Sequence, residues 1–193
     1  KAYRHPEWNL LAGRILMHEI KTQVPSKFSQ CVKHLRSLCN ADYFEFVMSN
    51  KDRLDSMIQG EKDWSFNALA VHTLLKSYLG RLKKDGDSLL METPQYMYLR
   101  VATFMAYPDL KAIQEIYTDL SDGNYIHASP TLFNSGWYKP QLSSCFLLGV
   151  NDDLKSITKS WSNVAFISKN SGGIGLDITS LRHSEIGQDW FVN

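Results

Sequence analysis

The sequence predicts an α/β protein: a mainly helical amino-terminal domain over residues 1–122, with one hairpin, followed over 123–193 by the beginning of an α/β domain. Three observations carry this expectation. Apolar residues recur at helical spacing through the first part of the chain. A turn-rich insert, Lys83-Lys84-Asp85-Gly86-Asp87, interrupts them once. From Asn124 onward turns, short apolar runs and one helical stretch alternate, in the strand–helix–strand order that makes a parallel sheet.

Taken in order, Pro6 opens a helix, since proline at a first helical position costs no hydrogen bond. Its apolar stripe is Trp8, Leu11, Ile15 and Ile20, and Val24-Pro25 ends it because a residue before proline is pushed out of the α region. Ser26 is the expected cap of the next helix, with Phe28, Cys31, Val32, Leu35, Leu38 and Cys39 on one face. A mixed stretch from Asp42 to Ile58 follows, with Phe44, Val47, Leu54 and Ile58 inward. Phe66, Ala70, Leu74 and Tyr78 line another helical face within Asp63–Tyr78. Tyr78–Leu82 and Ser88–Met91 then flank the insert as the arms of a hairpin. Thr93-Pro94 starts a helix with Met97, Val101 and Phe104 aligned, and Tyr107-Pro108 breaks it. Leu110, Ile113, Ile116, Tyr117 and Leu120 make the next one. The ordinary reading of every such stripe is core packing.

In the second part, Cys145–Val150 is a continuous apolar run, as expected of a strand buried on both faces. Asp152–Lys169 reads as a helix with Ile157, Trp161, Val164, Ala165 and Ile167 inward, and with Asp152 and Asp153 at the positive end of its dipole. Ser171-Gly172-Gly173 is a break, and Ile174–Ile178 a second strand.

Composition narrows the function. The chain has 193 residues, 44% of them hydrophobic, and 21 basic against 20 acidic side chains give a net charge of +1. That balance argues against a basic nucleic-acid coat and against direct nucleic-acid binding. No apolar run is long enough to span a bilayer and no leader pattern opens the chain, so neither a membrane nor secretion is expected. Three cysteines are too few for a disulfide scaffold; Cys31 and Cys39, on one straight helix, would stand about 12 Å apart. A reducing, cytoplasmic setting is expected. The chain starts at Lys1 and stops after Trp190-Phe191-Val192-Asn193, and it reads as a piece of something longer or as a processed product.

Few residues stand out as chemistry on their own. Gly172, Gly173 and Gly175 do not make the dinucleotide fingerprint, because they follow a helix and open a strand. Adjacent glycines still leave backbone amides uncovered by Cβ, open to a hydroxyl or a phosphate, although a tight helix-to-strand connection is the commoner use. Cys145 is either a small core residue or half of a redox pair whose partner lies elsewhere. No zinc-type spacing surrounds it, and His127 and His183 are too scattered to build a metal site, so no metal is expected. A Cys–His nucleophile pair has no positive support. Ser129, Ser143 and Ser144 supply hydroxyls in turns, and Asp153, Lys169 and Arg182 are by default solvated charges.

Three ordered blocks change that balance: Ala128-Ser129-Pro130-Thr131-Leu132-Phe133-Asn134-Ser135-Gly136, Pro140-Gln141-Leu142-Ser143-Ser144-Cys145-Phe146-Leu147-Leu148, and Ile167-Ser168-Lys169-Asn170-Ser171-Gly172-Gly173-Ile174-Gly175. Together they strongly resemble the large, catalytic subunit of class I ribonucleotide reductase. Asn50-Lys51-Asp52-Arg53-Leu54 and the Tyr78–Leu82 region are similar to that family's eukaryotic and viral members, and the likeness runs to about Arg182. Beyond it, His183-Ser184-Glu185-Ile186-Gly187 and Trp190-Phe191 depart from the family pattern.

The resemblance implies that residues 123–193 begin the family's α/β barrel. It implies that Cys145 gives reducing equivalents to substrate and closes a disulfide with a distant cysteine. Ser129 and Ser144 match substrate-contacting hydroxyls, and Gly172 and Gly173 match backbone lying against the substrate. Asp153, Lys169 and Arg182 match the region that binds an ATP or deoxynucleotide effector across a large-subunit homodimer. The implied substrate is a ribonucleoside diphosphate, reduced by a thiyl-radical route. No cofactor is expected in this chain: a small subunit supplies the radical from a metal-built cofactor, and a thioredoxin- or glutaredoxin-type reductant restores the thiols. The radical-bearing cysteine, the second reducing cysteine and the amino-terminal activity-control cone fall outside this stretch, so the chain alone is expected to be inactive. Two other readings stand beside this one: a truncated, non-catalytic paralogue that binds a nucleotide or regulates an intact large chain, and a helical scaffold with no ligand.

Overall fold

The computed structural model describes residues 5–84, 86–170 and 172–183. Ser171 and the departing stretch 184–193 lie outside the described residues. Contacts divide the chain into two compact units, one through Leu142 and one from Ser143. The architecture is mixed: helices with a small hairpin first, then a parallel strand–helix–strand unit.

In the first unit α1 (Pro6–Gln23), α2 (Phe28–His34), α3 (Ala41–Ser49), α4 (Lys51–Met57) and α5 (Ala68–Ser77) lead to the antiparallel hairpin β1 (Arg81–Lys84) and β2 (Asp87–Leu90). Then come α6 (Pro94–Ala106), α7 (Leu110–Asp122) and the short α8 (Ser129–Asn134). α6 is the axis of this unit. Met97, Leu99, Val101 and Ala102 have no exposed surface, and α7 packs Ile113, Tyr117 and Leu120 against the same core. Thr93 caps α6 through its side-chain oxygen, in keeping with the Thr93-Pro94 start, and Asp109 caps α7 in the same way. The hairpin forms, but its strands run further into the expected insert than the sequence suggests, with Lys83, Lys84 and Asp87 paired across it. The chain turns between α6 and α7 at Tyr107-Pro108, whose peptide is cis.

Several expectations are corrected here. The buried face of α1 is Gly13, Met17 and Ile20, whereas Trp8, Leu11 and Ile15 remain about half exposed. The cause is Gly13: a Cβ there would stand 2.2 Å from the Phe66 carbonyl oxygen, so the missing side chain lets this face approach backbone directly. Ser26 does not cap α2; Lys27 occupies that position without a side-chain bond, and the Ser26 hydroxyl lies 3.4 Å from Gln30 Oε1. Cys31 and Cys39 do not share a helix, because α2 ends at His34 and a 3-10 turn, Arg36–Leu38, intervenes. The mixed stretch from Asp42 resolves into α3 and α4, meeting at Asn50. Ser129, read from the sequence as a turn residue, instead begins the short helix α8.

A buried ion pair ties these elements together. The Arg100 guanidinium donates to Glu92 at 2.6 and 3.1 Å, and also to the carbonyls of Ser135 (2.7 Å) and Leu132 (3.2 Å) at the end of α8. It lies 4.4 Å from the centre of the Trp137 ring, and Glu92 accepts from the Gly80 amide at the hairpin base. Gly136, with φ at +83°, brings the chain past Arg100 and Tyr43 where a Cβ would crowd both.

In the second unit β3 (Cys145–Gly149) and β4 (Gly173–Asp177) pair in parallel, joined through α9 (Leu154–Lys169). The strand–helix–strand expectation therefore holds. Its burial does not: Leu147 is 89% exposed, and in α9 Trp161 and Ala165 face outward while Ile157, Val164 and Ile167 are half-buried. Only one face of a two-stranded sheet can be covered by a single helix, so alternate residues of β3 stay in solvent.

Candidate functional site

Parallel pairing sets Cys145 against Gly173, Leu147 against Gly175 and Gly149 against Asp177. Alternation along each strand sends these six to the sheet face opposite α9, while Phe146, Leu148 and Ile174 turn toward the helix. The result is an open face lined by three glycines, with the exposed thiol of Cys145 at the end where both strands begin. The half-buried Ser144 hydroxyl lies 3.6 Å from the Cys145 sulfur. The Ser144 carbonyl accepts from the Gly173 amide at 2.6 Å.

That last bond corrects the reasoning about bare amides. Gly173 N–H is engaged by Ser144, and Gly172 N–H donates to the Ile167 carbonyl at 3.1 Å. The glycines open the face by lacking side chains, not by offering donors. A Cβ on Gly173 would sit 3.2 Å from the Ser144 oxygen, and one on Gly175 would meet Leu147 at 2.8 Å. Gly172 serves the other side: its Cβ would collide with Ile167 and the Phe146 ring, so its absence lets α9 turn tightly into β4.

The structure brings Ser144, Cys145 and Gly173 together, with Gly172 one residue away. Ser129 belongs to the first unit, at the start of α8, where its hydroxyl is 2.9 Å from Tyr78 Oη and the Tyr78 ring packs on Phe133. Sequence reasoning placed Tyr78 in a core stripe and missed this contact; nothing in helical spacing announces a phenol that reaches a serine 51 residues on. Asp177, on the open face, was also missed. The Thr179 backbone N–H donates to its carboxylate and holds it below the usual range.

The charged trio is split. Asp153 caps α9 by accepting from the Ser156 amide at 2.8 Å, and its neighbour Asp152 pairs with Arg182 at 3.2 Å. Lys169 stands at the opposite end of α9, about 24 Å away for sixteen residues of helix. Among the described residues no group of three or more His, Cys, Asp or Glu is placed to hold a metal, and no helix is long and apolar enough to cross a membrane.

Comparison with known proteins fits this architecture. Residues 65–138 match the model of the ribonucleotide reductase all-alpha domain, and residues 143–186 match that of the ribonucleotide reductase barrel domain. The chain is 37% identical over 191 residues to the ribonucleoside-diphosphate reductase large chain of Schizosaccharomyces pombe, covering 93% of this chain and 23% of that protein. It is 37% identical to the large subunit from Danio rerio (93% and 24% covered) and 36% identical to that from Variola virus (94% and 24%). The chain belongs to the ribonucleotide reductase large-subunit family, and it spans about a quarter of the length of these relatives.

Proposed function

We propose that this chain forms one part of a ribonucleoside-diphosphate reductase large chain, the part that brings a reducing thiol to the ribose of a ribonucleoside diphosphate. The observation that carries the reading is the exposed Cys145 thiol, set in register with Gly173, which places no side chain beside it. At Gly173 a sugar can approach the backbone without meeting a Cβ. Ser129 and Ser144 supply hydroxyls to the substrate, and Gly173 supplies the closely approached backbone, while Gly172, matched to the same role, shapes the turn from α9 into β4 on the other side.

The reaction replaces the ribose 2′-hydroxyl by hydrogen, and the hydroxyl leaves as water. Two electrons come from two thiols, Cys145 and a second cysteine of the complete enzyme, which join as a disulfide. A thioredoxin- or glutaredoxin-type dithiol reopens that bond. A separate small subunit, with its metal-built cofactor, supplies the radical that starts the chemistry, and the products feed DNA synthesis in the cytoplasm. The other two thiols here cannot stand in for the second one. Cys31 and Cys39 are buried, and burial pushes both thiols up, Cys39 to about 12, so neither is ionised near neutrality.

Asp153, Lys169 and Arg182 are assigned to an ATP or deoxynucleotide effector held across a homodimer. The length of α9 supports a shared site: Lys169 is too distant from Asp153 and Arg182 of its own copy to grip one nucleotide with them, whereas Lys169 of a second copy has no such limit.

Alkylation of Cys145 by iodoacetamide tests the reading. CDP is expected to slow it several-fold, and an unchanged rate sinks the assignment. The 193-residue chain mixed with small subunit and dithiol is expected to leave radiolabelled CDP unreduced.

A further inference from the structure

We propose that a groove in the first unit, walled by Tyr78, Phe133, Trp137 and Tyr138 and flanked by Arg81 and Lys139, binds a nucleoside polyphosphate. The groove measures about 500 Å³, within the range of small-molecule sites. None of the described residues lining it is acidic, so its two cations face no carboxylate there.

Among the described residues Arg81 is held by neutral groups. Its guanidinium donates to the carbonyls of Leu75 at 3.1 Å and Ser88 at 3.3 Å, both uncharged, which fixes the cation at the hairpin base. Lys139 lies 5.6 Å from the centre of the neighbouring Tyr138 ring. Two aromatic walls are fixed in the same way. The Trp137 indole donates to the Phe133 carbonyl at 2.6 Å, and the Tyr78 ring sits 4.5 Å from that of Phe133. Tyr138, by contrast, is 69% exposed, a large ring presented to solvent beside a cation.

Rigid aromatic faces beside cations that meet no carboxylate among the described lining residues suit a planar base joined to phosphates: the base stacks on the rings while Arg81 and Lys139 meet the anionic oxygens. An acidic peptide would satisfy the cations and leave the rings without a purpose. The proposal does not depend on the role given to Cys145.

The test is calorimetric titration of the 193-residue chain with ATP at low ionic strength. Lys139→Glu is expected to weaken binding on the order of tenfold, by reversing a charge at the phosphates, and Tyr138→Ser by roughly fivefold, by removing a stacking face. Both side chains are exposed, so circular dichroism and thermal midpoint should stay as in the parent chain. Inorganic triphosphate should bind several-fold more weakly than ATP. No measurable binding, an isotherm untouched by both substitutions, or triphosphate or a polyglutamate peptide binding as tightly as ATP, each overturns the proposal.

Discussion

A carboxylate with no exposed surface must find its partners inside the fold, and Asp63 does so. Lys21 Nζ lies 2.8 Å from Oδ2, and the Gln95 amide donates to Oδ1 at 3.1 Å. Burial raises the Asp63 pKa above the ordinary carboxylate value, and the Lys21 ammonium pulls it back. Lys21→Met removes the opposing charge and leaves burial dominant. The variant is expected to lose roughly 3 kcal/mol at pH 7. The protonated acid is then the form the fold prefers, so between the ordinary and the raised value the folded chain binds more protons than the unfolded one. Stability of the variant should therefore recover as pH falls through that window. Urea titrations at several pH values check both the size and the sign, and a deficit that grows on acidification contradicts the account. Neither this pair nor the Arg100–Glu92 pair was legible in the sequence, because one ionic side chain in a helical stripe looks like any other until the partner elements are packed around it.

Elements with strong periodicity and local punctuation were readable in advance. Thr93-Pro94 and Tyr107-Pro108 bracket α6, and the turn-rich insert marks the hairpin, although Lys83, Lys84 and Asp87 pair as strand residues rather than turn. Elements whose bounds depend on distant contacts were not. α2 stops at His34 although its apolar spacing continues to Cys39, because Cys39 bridges instead to Trp137 and Asn40 N–H donates to the Gly136 carbonyl. In α1 a glycine face displaced the larger apolar stripe. Glycine decides the second unit as well. A Cβ at Gly172 would stand 2.5 Å from Ile167 Cγ2 and 2.8 Å from the Phe146 ring. Gly172→Ala must push α9 away from the strands, at a cost of about 1–3 kcal/mol typical of overpacking. Near-normal protection of the β3 amides in hydrogen exchange would contradict this.

For the molecule as a whole, the parallel crossover followed from the change of pattern after Asn124, but the compact units divide after Leu142 rather than at the expected 122/123, because α8 is bound to α6 through Arg100. The candidate site was legible as residue blocks rather than as physics: Cys145, Ser144 and Gly173 do meet, yet through occupied amides and an open sheet face that no apolar run foretells. Interior is distributed unevenly between the units. The first has a continuous core through α6, whereas Val150 and Ser160 are the buried residues among the described part of the second. Local opening follows the density of buried contacts. Amides of α9 and β3 should accordingly exchange with solvent faster than those of α6, by tenfold or more if the difference in opening energy reaches about 1.4 kcal/mol. Equal protection in both units would contradict this.

The exposed Leu147, Leu154, Trp161 and Phe166 carry a related thermodynamic implication. Each Å² of such surface withdrawn from water is worth about 25 cal/mol. The segment bearing the thiol therefore holds its shape with little reserve of its own, and any molecule that shields those four side chains would raise its melting point before altering a single bond around the sulfur.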